Sequence, residues 1–439
     1  MTARDVAFLT VRDVVGEAQR SAHAAFDYRC SRAQLSTRDR AFAAELAYGS
    51  LRARRLLDWY LKPYVGERLK SLPPSILEIL RLGVYQLRMM DGVEVHAAVH
   101  ETVNLALRHG HRGTAGLVNA VLRRFDRENP PEPQAADWSD PLEYAATRYS
   151  LPTWIVRHYA TRFAEHDLDA LLQGLQQRQQ VALTYDTRRI TAAELTAIVE
   201  QAGGQAYPSA YVGESLLVSD AAQIPMPSDQ RFFGQSESAA MVVDILAPQP
   251  GEKVLEFCAG RGNKTLQLAM RQGAAPQLTT IELDPRKAAQ LAERLRLADT
   301  TGVALVVADA LVYSGDQVEA VLVDAPCSGL GIVGRQPEAR WRKQPGDPAR
   351  LAELQQKLLQ AALAFVKPGG RLVYSVCSTD PREGEEVITA VQQRNPALVY
   401  DALPERYARL AHPSGGLLIP PGIEGRDGFF IARLTLTSP

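Results

Sequence analysis

Hydrophobic residues recur at two different spacings along the chain. Over residues 1–128 they follow the three-to-four-residue spacing of amphipathic helices. One such series, which predicts a single helix, is Val6, Leu9, Val14, Ala18, Ala22 and Phe26. Ser36 and Thr37 then form a cap before a second helix, and Pro73 and Pro74 open a third. Residues 1–128 are therefore predicted to be an all-α helical bundle.

The spacing changes after residues 129–139, a proline-rich segment predicted to be a linker. Residues 140–227 mix strands at 181–185 and 214–218 with helical patterns, one of them at 192–201, which predicts a small α+β domain. From residue 228 to 439, short apolar runs alternate with helical patterns, as in a mostly parallel, doubly wound sheet. The predicted strands are Lys253–Phe257, Leu278–Glu282, Ala304–Val307, Ala320–Val323, Arg371–Val376 and Phe429–Leu434. Helices are predicted between them, notably at Pro285–Leu297 and Ala349–Phe365. This last region is predicted to be a Rossmann-like α/β domain.

Composition narrows the class of protein. A chain of 439 residues is too long for one core and fits two or three domains. With 46% hydrophobic and 23% charged residues and no long apolar run, it is expected to be a soluble cytoplasmic protein. Residues 1–129 hold 20 Lys and Arg residues against 14 Asp and Glu residues. This excess of positive charge favours nucleic-acid binding, although a solvated helical surface explains it equally well.

The four cysteines, at positions 30, 258, 327 and 377, are too scattered for a disulfide framework. None belongs to a Cys-x-x-Cys pair, so no metal site is expected. Reduced thiols suit an enzyme of the cytoplasm.

A glycine-containing turn follows the first predicted strand of the Rossmann-like domain. It reads Glu256, Phe257, Cys258, Ala259, Gly260, Arg261, Gly262, Asn263 and Lys264. The two glycines let the backbone pass close to a ligand before the next helix begins. A dinucleotide fingerprint requires glycine where Thr265 stands, and a P-loop requires glycine where Asn263 stands. Pyrophosphate cofactors are therefore disfavoured, whereas Glu282, at the end of the second strand, could accept hydrogen bonds from ribose hydroxyls.

Two further strands lead into turns that contain cysteine, Asp324-Ala325-Pro326-Cys327 and Ser375-Val376-Cys377. Because parallel strands end at one edge of a sheet, the two thiols are predicted to act together. One reaction that would use two such thiols is the methylation of cytosine, in which a thiolate added to C6 makes C5 nucleophilic enough to accept a methyl group. That reaction needs an activated cysteine, an acid at N3 and a base for the C5 proton. Ionising a thiol of pKa about 8.5 needs help, for which Lys264 and Arg335 are the candidates.

These motifs resemble those of a known family. Residues 324–329 and 374–378 resemble motifs IV and VI of RNA cytosine-C5 methyltransferases, and residues 256–262 resemble motif I of S-adenosylmethionine (SAM) methyltransferases. Residues 36–41, 78–87 and 116–123 resemble the NusB-type RNA-binding domain. Together they resemble the RsmB/Sun (Fmu) family of 16S ribosomal RNA cytosine-C5 methyltransferases. The family's motif I loop, Cys-Ala-Ala-Pro-Gly-Gly-Lys, differs here at positions 260, 261 and 263.

The resemblance implies a set of roles. SAM is the expected cofactor, and its expected contacts are Glu256, Cys258, Ala259, Gly260, Arg261, Gly262, Asn263, Lys264, Glu282, Asp309 and Asp324. Cys377 would be the nucleophile, Cys327 would assist product release, and Asp324 would hydrogen-bond the target base. The reverse assignment of the thiols stays open, because DNA cytosine methyltransferases attack with a Pro-Cys thiol. The expected RNA contacts are Lys264, Arg335, Arg340, Trp341, Arg112, Arg123 and Arg124.

The resemblance also implies a substrate and leaves alternatives. The expected partner is 16S ribosomal RNA, with transfer RNA as the nearest alternative, and residues 140–227 would be an RRM-like connector. A monomer without a membrane partner is expected. A non-catalytic RNA-binding or assembly factor is supported by the altered motif I loop. The hypothesis of an oxidoreductase on the same fold is weakened by the missing third glycine.

Overall fold

The computed structural model describes residues 1–16, 20–165, 167–177, 179–219 and 224–437. Its helices are α1 (Ala3–Val15), α2 (Ala22–Cys30), α3 (Thr37–Arg52), α4 (Arg54–Val65), α5 (Pro74–Met89), α6 (Val95–His109), α7 (Arg112–Glu128), α8 (Pro141–Arg148), α9 (Thr153–Arg162), α10 (Leu168–Gly174), α11 (Ala192–Gln201), α12 (Glu237–Leu246), α13 (Asn263–Gln272), α14 (Pro285–Leu297), α15 (Ala339–Arg342), α16 (Asp347–Leu363) and α17 (Glu385–Arg394). Its strands are β1 (Val181–Tyr185), β2 (Gln205–Pro208), β3 (Ser215–Ser219), β4 (Phe232–Gly234), β5 (Lys253–Phe257), β6 (Gln277–Glu282), β7 (Val303–Val307), β8 (Val318–Asp324), β9 (Val366–Val376), β10 (Leu398–Tyr400), β11 (Leu417–Ile419) and β12 (Phe429–Leu436).

The chain divides into two compact units. The N-terminal unit comprises Met1–Ala164 and Gln336–Lys343, and the C-terminal unit comprises Glu165–Arg335 and Gln344–Pro439. The domain boundaries predicted after residues 128, 139 and 227 follow composition rather than contacts, and they stay predictions.

The N-terminal unit is helical in its described residues, as predicted, but its first helix is two helices. Helix α1 ends at Gly16, and α2 begins after Ser21, whose hydroxyl accepts a hydrogen bond from the Ala24 N–H. The prediction of one helix from Val6 to Phe26 was therefore wrong, and Ala18 lies outside the described residues. Periodicity alone did not reveal the break, because residues of both helices pack into one core.

The second predicted helix, which runs past Phe42 and Leu51 to Trp59, is likewise divided, into α3 and α4. The Ser36 hydroxyl caps α3 by accepting a hydrogen bond from the Asp39 N–H, as the sequence indicates. Helix α3 ends at Arg52, and α4 begins at Arg54. A proline at the first position opens α5, which fits its missing N–H.

The C-terminal unit begins with a small antiparallel sheet in the order β2-β3-β1-β4. Residues of α11 and of this sheet share one core, which contains Leu183, Leu195 and Leu216. Strand β1 and helix α11 have the bounds that the sequence predicts. Strand β4 extends the sheet past residue 227, where the sequence predicts the next domain to have begun.

The larger sheet has eight strands in the order β10-β12-β9-β8-β5-β6-β7, with β11 paired to β12. Strands β5 to β9 pair in parallel, and β12 pairs antiparallel with β9, β10 and β11. The prediction of a mostly parallel, Rossmann-like sheet is confirmed. The order changes direction at β5, since β6 lies on one side of it and β8 on the other.

Both faces of this sheet are covered. Val321 and Val323 of β8 share a core with residues of α16 and α17, whereas Ala320 and Leu322 share a core with residues of α12 and α13. A strand segment buried on both faces needs apolar residues at every position, which explains the apolar run Ala320–Val323 of β8.

The turn after β8 approaches the start of β12 so closely that only glycine fits. The Gly331 N–H donates to the Cys377 carbonyl at 3.0 Å, and the Gly428 N–H donates to the Gly331 carbonyl at 2.7 Å. A Cβ atom on Gly331 would lie 1.8 Å from the Gly428 carbonyl oxygen. The turn that carries Cys327 is therefore held by backbone contacts on two sides.

We expect Gly331→Ala to lower the melting temperature of the protein by several degrees, because overpacking at a fixed backbone contact costs about 1–3 kcal/mol. Differential scanning calorimetry measures the change. Gly346→Ala is the matched control, since a Cβ atom there meets nothing within 4 Å. Equal melting temperatures for the two variants would contradict the close approach.

Candidate active site

A cleft of about 870 Å³ lies at the point where the strand order reverses. Its walls are the loop after β5, one side of α14 and the end of β8. In open α/β sheets the two loops beside a reversal diverge, which leaves a crevice at the carboxyl ends of the strands. The lining residues are Cys258, Ala259, Gly260, Arg261, Asn263, Lys264, Ala289, Gln290, Glu293, Arg294 and Asp324. Six of the predicted cofactor contacts on the glycine-containing loop, together with Asp324, thus line one cavity.

The loop after β5 takes a tight path at the floor of this cleft. Cys258, Gly260 and Gly262 all have positive φ angles, of 61°, 62° and 85°. A Cβ atom on Gly262 would lie 2.2 Å from Leu291 of α14, so glycine is required there for packing as well as for conformation. Arg294 of α14 donates to the Arg261 carbonyl at 2.9 Å, which ties the loop to that helix.

Cys258 is shielded within this loop. Burial, reinforced by nearby carboxylates including Asp324 and Glu282, raises the pKa of the Cys258 thiol to about 12. A thiol with such a pKa is protonated at neutral pH and makes a poor nucleophile, so Cys258 acts as a packing residue.

Glu282, at the end of β6, is buried and holds the loop in place. One carboxylate oxygen accepts from the Gly260 N–H at 2.7 Å, and the other accepts from the Asp284 N–H at 2.8 Å. Asp309 follows β7 and is exposed, and its carboxylate accepts from the Leu311 N–H. Both acids therefore stand at strand ends on the side of the sheet where a nucleoside would enter.

Glu256 does not line the cleft, although the sequence places it among the cofactor contacts. It is buried on β5, and one oxygen accepts from the Thr265 hydroxyl at 2.6 Å and from the Thr280 hydroxyl at 2.7 Å. Burial raises the pKa of Glu256 to about 7 despite these hydrogen bonds. In the described residues it links β5, β6 and α13, so its contribution to the site is structural.

Lys264 and Asp324 form an ion pair across the cleft. The Lys264 ammonium donates to one Asp324 oxygen at 2.6 Å, and the Ser375 hydroxyl donates to the other at 2.7 Å. Burial alone would lower the pKa of Lys264, but Asp324 and, to a smaller extent, Cys377 raise it. The carboxylate of motif IV is therefore fixed by one residue from the β5 loop and one from β9.

The two predicted thiols lie together. Sγ of Cys327, after β8, is 3.1 Å from Sγ of Cys377, after β9. The hydrogen bond to Cys377 and burial hold the pKa of the Cys327 thiol well above its ordinary value. With its pKa raised in this way, Cys327 keeps its proton at neutral pH, and the distance between the two sulfur atoms fits one S–H hydrogen bond. Of the two candidate cations, Lys264 lies near Cys377, whereas the Arg335 guanidinium is paired with Asp427 at 3.0 Å.

Two predicted RNA contacts are used inside the N-terminal unit. Arg340 is fully buried, and its guanidinium donates to the Ser150 carbonyl at 3.2 Å. The half-buried Trp341 donates from its indole N–H to the Leu51 carbonyl at 2.7 Å. The prediction that Arg340 contacts RNA needs correction, because a fully buried guanidinium is out of reach of a phosphate. By contrast, the predicted contacts of α7 are on the surface, namely Arg112, Arg123 and Arg124.

The sequence analysis missed three side chains around the thiols. Ser375 was seen only as part of a motif, and Gln355 and Glu383 were not considered. Glu383 is buried six residues after Cys377, where its carboxylate meets both cysteine turns. The available signal in the sequence was the position of Glu383 six residues after Cys377, close to the second cysteine turn.

Neither a candidate membrane-spanning helix nor a candidate metal site is found in the described residues. None of the helices in the described residues combines the length and hydrophobicity needed to span a bilayer. In the same part of the chain, no three His, Cys, Asp or Glu side chains are grouped so that they could hold a metal ion.

The fold and the cleft define a Rossmann-like methyltransferase. The family model for 16S rRNA methyltransferase RsmB/F matches residues 243–435, and that of the NusB family matches residues 1–127. The chain is 32% identical to the probable ribosomal RNA small subunit methyltransferase B of Bacillus subtilis, over 91% of each chain. It is 34% identical to ribosomal RNA small subunit methyltransferase B of Thermus thermophilus, over 90% of this chain and 89% of that one.

Solved structures share the fold. The crystal structure of PH0851 matches with a TM-score of 0.83 over 99% of both chains at 21% identity. The chain belongs to the family of ribosomal RNA small subunit methyltransferase B, a family of SAM-dependent enzymes. The predicted family, fold class and cofactor are confirmed.

The residues present fit this cofactor. The cleft volume lies within the range of about 300–1,000 Å³ that is usual for sites of small molecules and cofactors. Its floor is backbone at Gly260, where a Cβ atom would meet no neighbour closer than 4.0 Å, so the space above the loop is open. Asp324, at the end of β8, lines the cleft and offers acceptors for hydroxyl and amino groups, whereas Glu282, at the end of β6, is not among the lining residues and holds the floor through the Gly260 N–H.

We expect Glu282→Ala to raise the dissociation constant for SAM by about 10- to 100-fold, since a hydrogen bond to a charged group is worth about 1.5–3 kcal/mol. The loss of the carboxylate frees the Gly260 N–H and loosens the loop. Isothermal titration calorimetry measures the affinity, with Glu353→Ala on the exposed side of α16 as the control. Unchanged SAM binding by the Glu282 variant would refute its role.

Glu256 predicts a pH-dependent stability. In the folded protein the pKa of Glu256 is about 7, above the usual value near 4.5. The stability that Glu256 contributes is therefore present at low pH and is lost as the pH rises from about 4.5 to about 7. Glu256→Gln removes that loss. Between pH 5 and pH 7.5, the melting temperature of the wild type should therefore fall by roughly 5 °C relative to that of the variant. Melting curves at several pH values test this, and a constant difference would show that Glu256 does not titrate in this range.

Proposed function

We propose that the protein methylates C5 of a cytosine in small-subunit ribosomal RNA through a covalent bond between Cys377 and C6 of the base. The observation that carries the proposal is the pair of thiols 3.1 Å apart, at the ends of two adjacent strands beside the cleft. Neither thiol is needed for a simple direct transfer to a nucleophilic nitrogen or oxygen, whereas addition to a pyrimidine ring requires one.

The division of work between the thiols follows from their protonation. Cys327 keeps its proton because its pKa is raised by the hydrogen bond to Cys377 and by burial. Cys377 lies near the Lys264 ammonium, a cation of the kind that supports attack by a thiol. Cys377 is therefore the nucleophile. During elimination the leaving sulfur regains its negative charge, and the Cys327 S–H stabilises it.

The Lys264–Asp324 pair is suited to hold the pyrimidine. As the bond from Cys377 to C6 forms, electron density moves toward N3, which takes up a proton. The Lys264 ammonium is a hydrogen-bond donor to Asp324, and together they present a proton source and an acceptor for the exocyclic amine. After the methyl group has reached C5, the C5 proton passes to water, the N3 proton returns to the Lys264 amine and the Cys377 thiolate leaves C6, which restores the aromatic ring.

The cofactor, when bound, supplies an electrophilic methyl group beside C5. We propose that the backbone of the loop from Cys258 to Lys264 and the carboxylate of Glu282 hold it, with Asp309 at the rim. These groups come from the ends of β5, β6 and β7, on the side of the reversal away from Cys377. Base and cofactor would thus enter the crevice from opposite sides and meet at Asp324.

The RNA substrate is supported by relatives and by surface charge. Relatives over nine-tenths of the chain are named as methyltransferases of small-subunit ribosomal RNA. Exposed arginines on α7, in the NusB-like part of the chain, are suited to phosphate contacts, and Lys264 could approach the target nucleotide. Since the proposed substrate is ribosomal RNA, we propose a cytoplasmic location for the protein.

Two cysteine variants test the chemistry. Cys377→Ala should abolish methylation, because no bond to C6 can form. Cys327→Ala should accumulate an RNA–protein adduct that survives denaturing electrophoresis, since release of Cys377 is slowed. Ser21→Ala, at a helix cap of the N-terminal unit, is a control that leaves the thiols unchanged. An adduct formed by Cys377→Ala instead would reverse the two roles.

The substrate is tested by bisulfite sequencing of ribosomal and transfer RNA from cells with and without the protein. We expect one cytosine of 16S ribosomal RNA to lose its protection when the protein is absent. Loss of protection in transfer RNA alone would overturn the substrate, and no change in either RNA would favour a non-catalytic factor.

A further inference from the structure

Glu383 connects the two turns that carry the thiols. One of its oxygens accepts from the Ser328 N–H at 2.7 Å, and the other accepts from the Ser378 hydroxyl at 2.5 Å and from the Ser328 hydroxyl. Ser328 directly follows Cys327, and Ser378 directly follows Cys377. A single carboxylate therefore holds both turns at residues adjacent to the reactive cysteines.

The surroundings of Glu383 make this connection rigid. The residue is fully buried, and Gln355 of α16 donates both to its carboxylate at 3.0 Å and to the Pro326 carbonyl at 2.9 Å. The Tyr374 hydroxyl donates to the Glu383 backbone carbonyl at 2.6 Å. Buried polar groups held by several partners at once have little freedom to move.

We propose that Glu383 is a positioning residue that sets the relation between the two thiols and keeps the proton of the pair on Cys327. This proposal rests on the proposed cytosine methylation for its catalytic consequence. The carboxylate acts on Cys327 through Ser328, and its negative charge disfavours a second negative charge on that thiol. Cys377 is then the thiol left to act as the nucleophile. Glu383 itself does not line the cleft.

The charge of Glu383 is separable from its shape. Burial and the hydrogen bond to Cys377 raise the pKa of Cys327 most, and Glu383 adds to the same shift. Glu383→Gln keeps the size and most hydrogen bonds, because serine hydroxyls can accept as well as donate, but it removes the charge. Glu383→Ala removes both, and Glu386→Gln makes the same charge change at an exposed neighbouring position.

The first experiment needs neither RNA nor cofactor. Each full-length variant is treated briefly with iodoacetamide between pH 6.5 and pH 9, and the labelling of each cysteine is quantified by peptide mass spectrometry. In the wild type and in Glu386→Gln, we expect labelling mainly at Cys377. In Glu383→Gln, the share of label at Cys327 should rise about threefold or more, because its thiolate is no longer opposed by a nearby charge.

Cys258 serves as the internal control. It lies in the same unit with a pKa of about 12, so its labelling reports loss of structure rather than a change in the thiol pair. A shift toward Cys327 without label at Cys258 supports the proposal. A wild-type labelling ratio in both Glu383 variants overturns it, as does a shift that is always accompanied by label at Cys258.

The second experiment measures methylation of RNA. We expect Glu383→Gln to lower kcat by about 10-fold and Glu383→Ala by up to about 100-fold, as for other groups misplaced by about 1 Å, with KM for RNA nearly unchanged. If the wild type makes no 5-methylcytosine but the labelling shift is seen, the positioning stands and the proposed function fails. If methylation is normal in every Glu383 variant, the proposed function stands and the positioning fails.

Discussion

The site depends on the parallel pairing of β8 with β9, in which Asp324 lies opposite Ser375. Parallel strands end at the same edge of a sheet, so the turns that follow them begin side by side. This register brings two sulfur atoms 50 residues apart in the chain to within 3.1 Å. A slip of one residue would exchange the faces of one strand, separate the thiols and bury polar groups against a core.

Three carboxyl groups are packed near this edge, and each is accommodated differently. Asp324 is neutralised by the Lys264 ammonium. Glu383 receives hydrogen bonds from two turns and from Gln355. Glu256 has a pKa raised to about 7 by burial, so it is largely protonated below that pH. Because ionised groups are costly away from water, each of these carboxyl groups is paired, hydrogen-bonded or protonated, and Lys264 lies close to Cys377.

The accuracy of the sequence predictions follows the strength of the local signal. Strand β5 and helices α11 and α14 have the predicted bounds, because apolar periodicity and turn residues mark both of their ends. Helix α12 was missed because it is buried on almost every side and has no polar face to give it a period. Strands β10 and β11 have three residues each, which is too few for an alternating pattern of apolar and polar residues to be recognised.

The sequence by itself determined most strands of the larger sheet, the glycine-containing loop and the two cysteine turns, since each is encoded by neighbouring residues. Only the tertiary structure decided which side chains meet. It buried Arg340 in the N-terminal unit, paired Lys264 with Asp324 and placed Glu383 beneath both thiol turns. Those contacts join residues far apart in the chain, and their energies depend on burial that no local pattern specifies.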